Sequence, residues 1–307
     1  MGVLHRLWKP WFIYQPTWLL KRAAAVMRPL PPGYRPVDTS WGASITADPA
    51  RTIGHSIATT GVHDIALSET LARLIAPGDT VVDAGANIGY ATLLASLAAG
   101  STGRVVAFEP HPALFEILTG NINRARHQFE IAEVDLRQSA LSDSPGTAIL
   151  DVPQAFAGND GVARLGAPAF AATGDALLVR VETLDDVLTT AAVTVLKLDV
   201  EGFEGAALKG AARALREHRI RHILFEDHHP QPSDVVRDLQ SAGYRVFSLG
   251  WTMRGPIVRP VDSTALAKVY EAPNFIASTR ADEVIARCSA RGWLVLSRGF
   301  AERRIKR

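Results

Sequence analysis

Thr80-Val-Val-Asp-Ala-Gly-Ala-Asn-Ile-Gly-Tyr90 is the stretch on which the reading of this chain turns. An apolar run ends in an acid, passes through a glycine turn and enters the apolar helical stretch Ala91 to Ala99. Twenty residues beyond Gly89 a second apolar run, Arg104-Val-Val-Ala-Phe-Glu109, also ends in an acid. Strand, glycine turn, helix, strand, acid describes a βαβ unit that binds an adenosine-containing cofactor at the C-terminal edge of a parallel sheet.

Asp83 separates the candidate cofactors. A nicotinamide dinucleotide needs a second glycine two residues after the first, so that backbone can approach the pyrophosphate. Here Gly85 is followed by Ala86 and Asn87, and the next glycine is Gly89. A carboxylate just before the turn repels a diphosphate in a partly dry site. It suits a cationic ligand, and S-adenosylmethionine carries a sulfonium and an ammonium but no phosphate. Asp83 is expected to face the amino-acid end of that ligand through the loop, and Glu109 to accept hydrogen bonds from both ribose hydroxyls. The plain alternative is a structural turn with a surface acid. Acids at both of the strand ends that such a site uses argue against it.

The composition sets outer bounds. With 307 residues the chain can bury a substantial core, and its 47% hydrophobic content is that of a globular protein. A formal charge of +2 gives no electrostatic case for nucleic acid. The basic tail Arg303-Arg304-Ile305-Lys306-Arg307 reads as a solvated end. Cys288 is the one cysteine, so no intrachain disulfide exists; its helical setting reads as a packed core thiol rather than a nucleophile.

At the N-terminus Trp8, Trp11, Phe12, Ile13, Tyr14, Trp18, Leu19 and Leu20 lie among Arg6, Lys9, Lys21 and Arg22. The uncharged run Pro10 to Leu20 is too short to span a bilayer, and no small-residue cleavage site follows it. Two readings stand: an interfacial anchor at a membrane surface, and an arm packed on its own domain or on a second subunit. The second is favoured, because two prolines spoil a continuous amphipathic helix.

Division of the chain follows from its punctuation. Residues 1–36 are the aromatic and basic arm with a Pro-rich linker from Arg28, and residues 37–76 an entry segment. Residues 77–280 are the catalytic domain, and residues 281–307 a C-terminal extension. In the entry segment Thr59 to His63 is expected as loop and Ser68 to Ile75 as a short helix capped by Ser68. Pro112 to Arg124 is a helix, and a third strand lies within Ile131 to Ala140. Alternation in Ala148 to Val152 and in Leu177 to Val181 predicts two antiparallel or edge strands, joined by a long loop from Pro153 to Asp175. Then come a short helix from Thr183, strand Thr194 to Val200, helix Glu204 to His218 and strand His222 to Glu226. Helix Ser233 to Ala242 is stopped by Gly243, and strands Tyr244 to Leu249 and Asn274 to Ser278 close the chain. Strands alternating with helices give an α/β fold with one doubly wound, mostly parallel sheet.

Lys197, Asp199, Glu201, Glu204 and Glu226 form a second constellation. Central parallel strands are covered on both faces and should be nearly all apolar, which Lys197 in Val-Leu-Lys-Leu violates. A buried charge needs a partner, so Lys197 is expected to pair with Glu226 or Asp199. Asp199 sits at a strand's C-terminal end, where ligands bind in open α/β sheets. Glu201 and Glu204 open the next helix, where capping explains them as well as catalysis does. His228 and His229 invite a metal reading, but neighbours in extended chain point opposite ways. Asp199 with Glu226 or Asp227 is an oxygen-rich candidate for Mg²⁺.

Six segments then occur in order: Val82 to Tyr90, Ala107-Phe-Glu-Pro110, Ala140-Leu-Ser-Asp143 with Gly146, Asn159-Asp-Gly161, Thr183-Leu-Asp-Asp186, and Leu196-Lys-Leu-Asp-Val-Glu-Gly-Phe-Glu204. From Ile57 to Ser278 the chain resembles the FkbM family of class I S-adenosylmethionine-dependent methyltransferases, and the Lys-Leu-Asp-Val-Glu-Gly block is the most distinctive piece. The resemblance implies a Rossmann-like class I methyltransferase fold and O-methylation of a hydroxyl on a sugar, glycan, lipid or secondary metabolite. Cofactor contacts are expected from Asp83, Gly85, Ala86, Asn87, Gly89, Glu109, Pro110, Ser139 and Ala140. The substrate proton is expected to pass to Asp199 first, then Glu226 or His228, with Lys197 beside them. The resemblance says nothing of the arm or of the paired histidines. A nicotinamide oxidoreductase and a non-catalytic membrane or partner-binding module are the alternatives. The expected setting is cytoplasmic, with peripheral contact at the inner face of the membrane if the arm is an anchor.

Overall fold

Apolar strands flanked by glycine turns build the centre of the protein. The computed structural model describes residues 9–153, 164–166, 174–261 and 273–306. Helices α1 (Pro10–Tyr14) and α2 (Thr17–Met27) lead to a hairpin, β1 (Arg35–Asp38) and β2 (Ser44–Ala47), then to α3 (Thr52–Thr60) and α4 (Ile65–Leu74). The alternating region follows with β3 (Thr80–Ala84), α5 (Tyr90–Ala99), β4 (Arg104–Phe108), α6 (Pro112–Gln128) and β5 (Glu133–Arg137). Next are β6 (Ala140–Leu141), β7 (Gly146–Pro153), β8 (Arg164–Gly166) and β9 (Gly174–Glu182). Then come α7 (Leu184–Leu188), β10 (Val193–Leu198), α8 (Glu204–Lys209), α9 (Ala212–Arg216), β11 (Ile220–Glu226) and α10 (Asp234–Ser241). The last elements are β12 (Arg245–Thr252), β13 (Gly255–Pro260), β14 (Asn274–Ser278), α11 (Ala281–Ser289) and α12 (Gly299–Glu302).

Eight strands form the main sheet in the order β13-β12-β14-β11-β10-β3-β4-β5. The run from β11 to β5 is parallel, whereas β14 enters antiparallel between β11 and β12. Every residue of β10 is buried, as a strand covered on both faces requires. The chain order reverses where β10 lies beside β3, so the ends of these strands frame a crevice.

Several expectations need correction. Thr59 and Thr60 are not loop: they end α3, which stops at Gly61 with φ +78°. Helix α4 begins before Ser68, because Asp64 accepts the Leu67 N–H as its cap; the Ser68 hydroxyl donates to the His63 carbonyl. The helix read from Glu204 to His218 breaks at Gly210, where a Cβ would lie 2.1 Å from the Ser142 carbonyl oxygen. β7 and β9 pair antiparallel as read, in a separate sheet of order β6-β9-β7-β8 with its own small core. β8 interrupts the loop read from Pro153 to Asp175; residues 154–163, including Asn159-Asp-Gly161, and 167–173 lie outside the described residues. β13 was not expected at all.

The arm lies against the body. Its prolines start helices rather than break them, Pro10 at the first turn of α1 and Pro16 at the N-cap of α2. Phe12 and Trp18 are buried, and a Cβ on Gly61 would meet the Trp18 ring at 2.5 Å. Gln15 donates to the carbonyls of Ser40 and Leu296. Among the described residues no helix is long and apolar enough to cross a membrane.

The C-terminal segment is fixed from inside. Glu69 on α4 is 0% exposed and accepts the N–H groups of Leu294 and Val295 and the Arg73 guanidinium. Arg73 donates in turn to the carbonyls of Arg287, Ala290 and Gly292. Burial pushes the Glu69 carboxyl up, and these donors oppose it. Glu69→Ala strands a buried guanidinium and two N–H groups, so it is expected to cost about 3–5 kcal/mol of stability, read as a lower urea midpoint.

Candidate active site

The turn after β3 is shaped by close contact. Gly85 has φ +77°, and a Cβ there would lie 1.8 Å from the Asp199 carbonyl oxygen, so only glycine fits. The Asn87 N–H donates to Glu109 Oε2 at 2.8 Å, and the His111 N–H to Oε1 at 2.8 Å. Two strand ends are thereby tied by one carboxylate. Burial raises the Glu109 pKa to about 7 against these hydrogen bonds.

Beneath the turn lies an ion cluster. Lys197 and Asp83 are register partners on adjacent parallel strands, so their side chains share a face. Lys197 Nζ is 3.2 Å from Asp83 Oδ1 and 3.4 Å from Asp199 Oδ2, and it donates to the Gly85 carbonyl at 2.9 Å. Thr92 donates its hydroxyl to Asp83 Oδ2 at 2.6 Å. Burial alone would lower the Lys197 pKa; the two carboxylates outweigh it and hold the ammonium above the usual lysine range. The expected partner Glu226 takes no part, because Asp83 on the adjacent strand is already opposite.

Above this cluster opens a cavity of about 410 Å³ at the C-terminal ends of β3, β4, β10 and β11. Of the residues singled out from sequence, Gly85, Ala86, Asn87, Glu109, Pro110, Ser139, Ala140, Lys197, Asp199, Glu226 and His228 line it. Asp83 and Gly89 do not: Asp83 is enclosed under the turn by Lys197 and Thr92, and Gly89 is turned toward Leu118. Asp83 thus does not face the cavity as expected. Glu204 bonds the N–H groups of Val200 and Gly202 and holds the loop after β10.

The far wall of the cavity carries groups that the sequence reading passed over. His63, Asp64, Thr52, Ile53 and Asn274 line it. Asp64 caps α4 with one oxygen and accepts from the Asn274 amide with the other, joining the entry segment to β14. Burial holds His63 below its ordinary range despite the pull of Asp64 and Asp199. A helix start beginning at Asp64 is the signal that would have pointed here.

Glu226 and His228 meet in the same cavity, with His228 Nε2 2.7 Å from Glu226 Oε1. Burial and the Asp199 charge raise the Glu226 pKa to about 7, against His228. His229 turns the other way and pairs with Asp227 at 2.8 Å. Hydrogen bonds from Ser233, His229 and Gln231 outweigh burial and lower the Asp227 pKa. Among the described residues no group of three or more His, Cys, Asp or Glu could hold a metal ion, so the Mg²⁺ expectation finds no support.

Residues 83–246 match the model of the methyltransferase FkbM domain. The chain belongs to the FkbM methyltransferase family. A relative, the hexuronic acid methyltransferase AglP of Haloferax volcanii, is 30% identical over 53% of this chain and 62% of its own length. The 31-O-demethyl-FK506 methyltransferase FkbM of Streptomyces tacrolimicus is 32% identical over 56% of this chain and 75% of its own. The chain thus spans under two thirds of the first relative. A solved FkbM methyltransferase from Methylobacillus flagellatus aligns with 65% of this chain and 43% of its own, at 18% identity and a TM-score of 0.45. Membership of the FkbM family gives no support to the nicotinamide oxidoreductase or the non-catalytic module.

The ion cluster yields a test. Lys197→Met is expected to cost about 3–5 kcal/mol by leaving Asp83 charged and unpaired; adding Asp83→Asn should restore roughly half, as a double-mutant cycle in urea will read.

Proposed function

We propose that this protein transfers a methyl group from S-adenosylmethionine to a hydroxyl of a sugar, glycan, lipid or secondary metabolite. The observation that carries the reading is the charge of the cavity. Among its described lining residues Asp64, Glu109, Asp199, Glu201 and Glu226 are acids, and Lys197 is the basic counterpart. Such a wall attracts a cationic ligand and repels a diphosphate. The absent Cβ at Gly85 lets the Asp199 carbonyl press on the turn and fix its shape.

S-adenosylmethionine, when bound, supplies a methyl group made electrophilic by its sulfonium. Gly85, Ala86 and Asn87 would hold it at the turn, with Glu109 accepting from ribose hydroxyls and Pro110, Ser139 and Ala140 along the adenosine side. Asp83 acts from beneath by fixing Lys197. The polar far wall, with His63, Asp64 and Asn274, suits an acceptor rich in hydroxyls. The names of the two curated relatives, one for a hexuronic acid and one for a 31-O position, support a hydroxyl acceptor of that kind.

The acceptor's proton goes to Glu226. Asp199 is engaged by the Lys197 ammonium, which suits it to positioning. Glu226, raised toward neutrality and bonded to His228, is the better proton acceptor. It works only when ionised, so kcat/KM should rise with pH and level off above about 7. Glu226→Gln should remove that rise and cost roughly 10²–10⁴ in turnover while cofactor affinity holds. A flat pH profile with full activity would reject the assignment.

Glu109→Ala should weaken cofactor binding roughly tenfold to a hundredfold, since it deletes a charged hydrogen-bond acceptor. Calorimetry with S-adenosylmethionine and with a nicotinamide dinucleotide, followed by mass spectrometry of hydroxylated acceptors for an added methyl, tests the whole proposal. Tight dinucleotide binding without methyl-donor binding sinks it.

A further inference from the structure

Helix α2 carries an apolar stripe on its solvent side as well as on its buried one. A surface helix turns its apolar stripe inward and its charged residues outward. In α2 the inward side holds the buried Trp18, and the exposed Arg22 reaches back to donate to the Thr59 hydroxyl. The outward side is Leu20, Ala23, Ala24 and Met27, at the i, i+3, i+4, i+7 spacing of a single helical stripe, and all four are exposed. Leu20 is 72% exposed, Met27 80% and the adjoining Val26 78%. Ile13 and Tyr14 of α1 are exposed as well, at 43% and 46%.

The charge around this stripe identifies what covers it. Residues 1–37 contain six basic residues, Arg6, Lys9, Lys21, Arg22, Arg28 and Arg35, and no acid. The whole chain has 33 Lys and Arg against 31 Asp and Glu, so the remaining residues carry 27 basic and 31 acidic side chains. A cationic, apolar-faced arm sits on a net anionic body. Lys21 and Arg28, both exposed, flank the stripe, with the Lys21 ammonium resting 4.0 Å from the centre of the Trp18 ring. A second copy of the same stripe would bring basic residues against basic residues, whereas lipid phosphates satisfy them.

We propose that the outer face of α2, with Lys21 and Arg28 beside it, docks the protein on an anionic phospholipid surface. Leu20 and Met27 enter the acyl boundary, the lysine and arginine take the headgroup phosphates, and the body's charge keeps the remainder off the surface. Trp18 stays buried and Arg22 keeps its bond to Thr59, so the arm need not leave the body to bind.

The test is flotation of the full chain with phosphatidylcholine vesicles, with and without phosphatidylglycerol, in low and in high salt. The protein should float with the anionic vesicles and be released by salt. Leu20→Ser with Met27→Ser, and separately Lys21→Glu with Arg28→Glu, should each lower the bound fraction about tenfold. All four positions are exposed, so circular dichroism and cofactor binding should stay at the wild-type level. Failure to float with anionic vesicles overturns the proposal. So does a dimer by light scattering that the Leu20→Ser, Met27→Ser variant converts to monomer, since the stripe then belongs to a second copy.

Discussion

A lysine buried in the middle of a parallel sheet is the constraint around which this protein is arranged. Burying an ion pair roughly breaks even in free energy, because desolvation consumes most of the attraction. What the pair fixes is position. The Lys197 ammonium holds Asp83 of β3, Asp199 after β10 and the carbonyl of Gly85 in the turn between β3 and α5. Backbone does the same from the other side, with the Asp199 N–H on the Ala84 carbonyl and Gly85 pressed on the Asp199 carbonyl. The strand ends that frame the cavity are thereby locked to one another before any ligand arrives.

Above that floor the electrostatics are poised rather than settled. Glu109 and Glu226 are both raised to about 7, one mainly by burial and the other by burial with Asp199 close by. A cavity crowded with acids resists ionising all of them at once. A cationic guest would reverse this, drawing both carboxyls down and coupling its own binding to proton release. Occupancy of the cofactor end would then act on the ionisation of the acceptor end without any movement of the chain.

The parallel half of the fold could be read directly because its signals are local. Apolar runs ending in acids at Asp83 and Glu109, and a glycine turn between them, need no distant partner to be interpreted. Lys197 announced itself by breaking an apolar run, yet its main partner was hidden: which residue lies opposite depends on strand register, a non-local fact. The same holds for β14, whose apolar sequence marks a strand but not its place between β11 and β12. His63 and Asp64 were missed because Thr59-Thr-Gly-Val-His63 looks like loop throughout, whereas the threonines close α3 before Gly61 and Asp64 caps α4. Asp83 shows the opposite failure: its type and position were noticed, and its direction was not, since a side chain at a strand end can point to solvent or into the sheet.

The placement of β14 bears on how the protein is made. This strand follows β11, β12 and β13 in the chain, yet it occupies an interior slot and gives β12 its bridge to β11. A nascent chain emerging from the ribosome therefore carries β11 and β12 with a gap between them until residue 278 is free. During that interval two strand edges stand open to wrong pairing, and β13 covers β12 only on its outer side. Synthesis must pass residue 278 before the sheet can close.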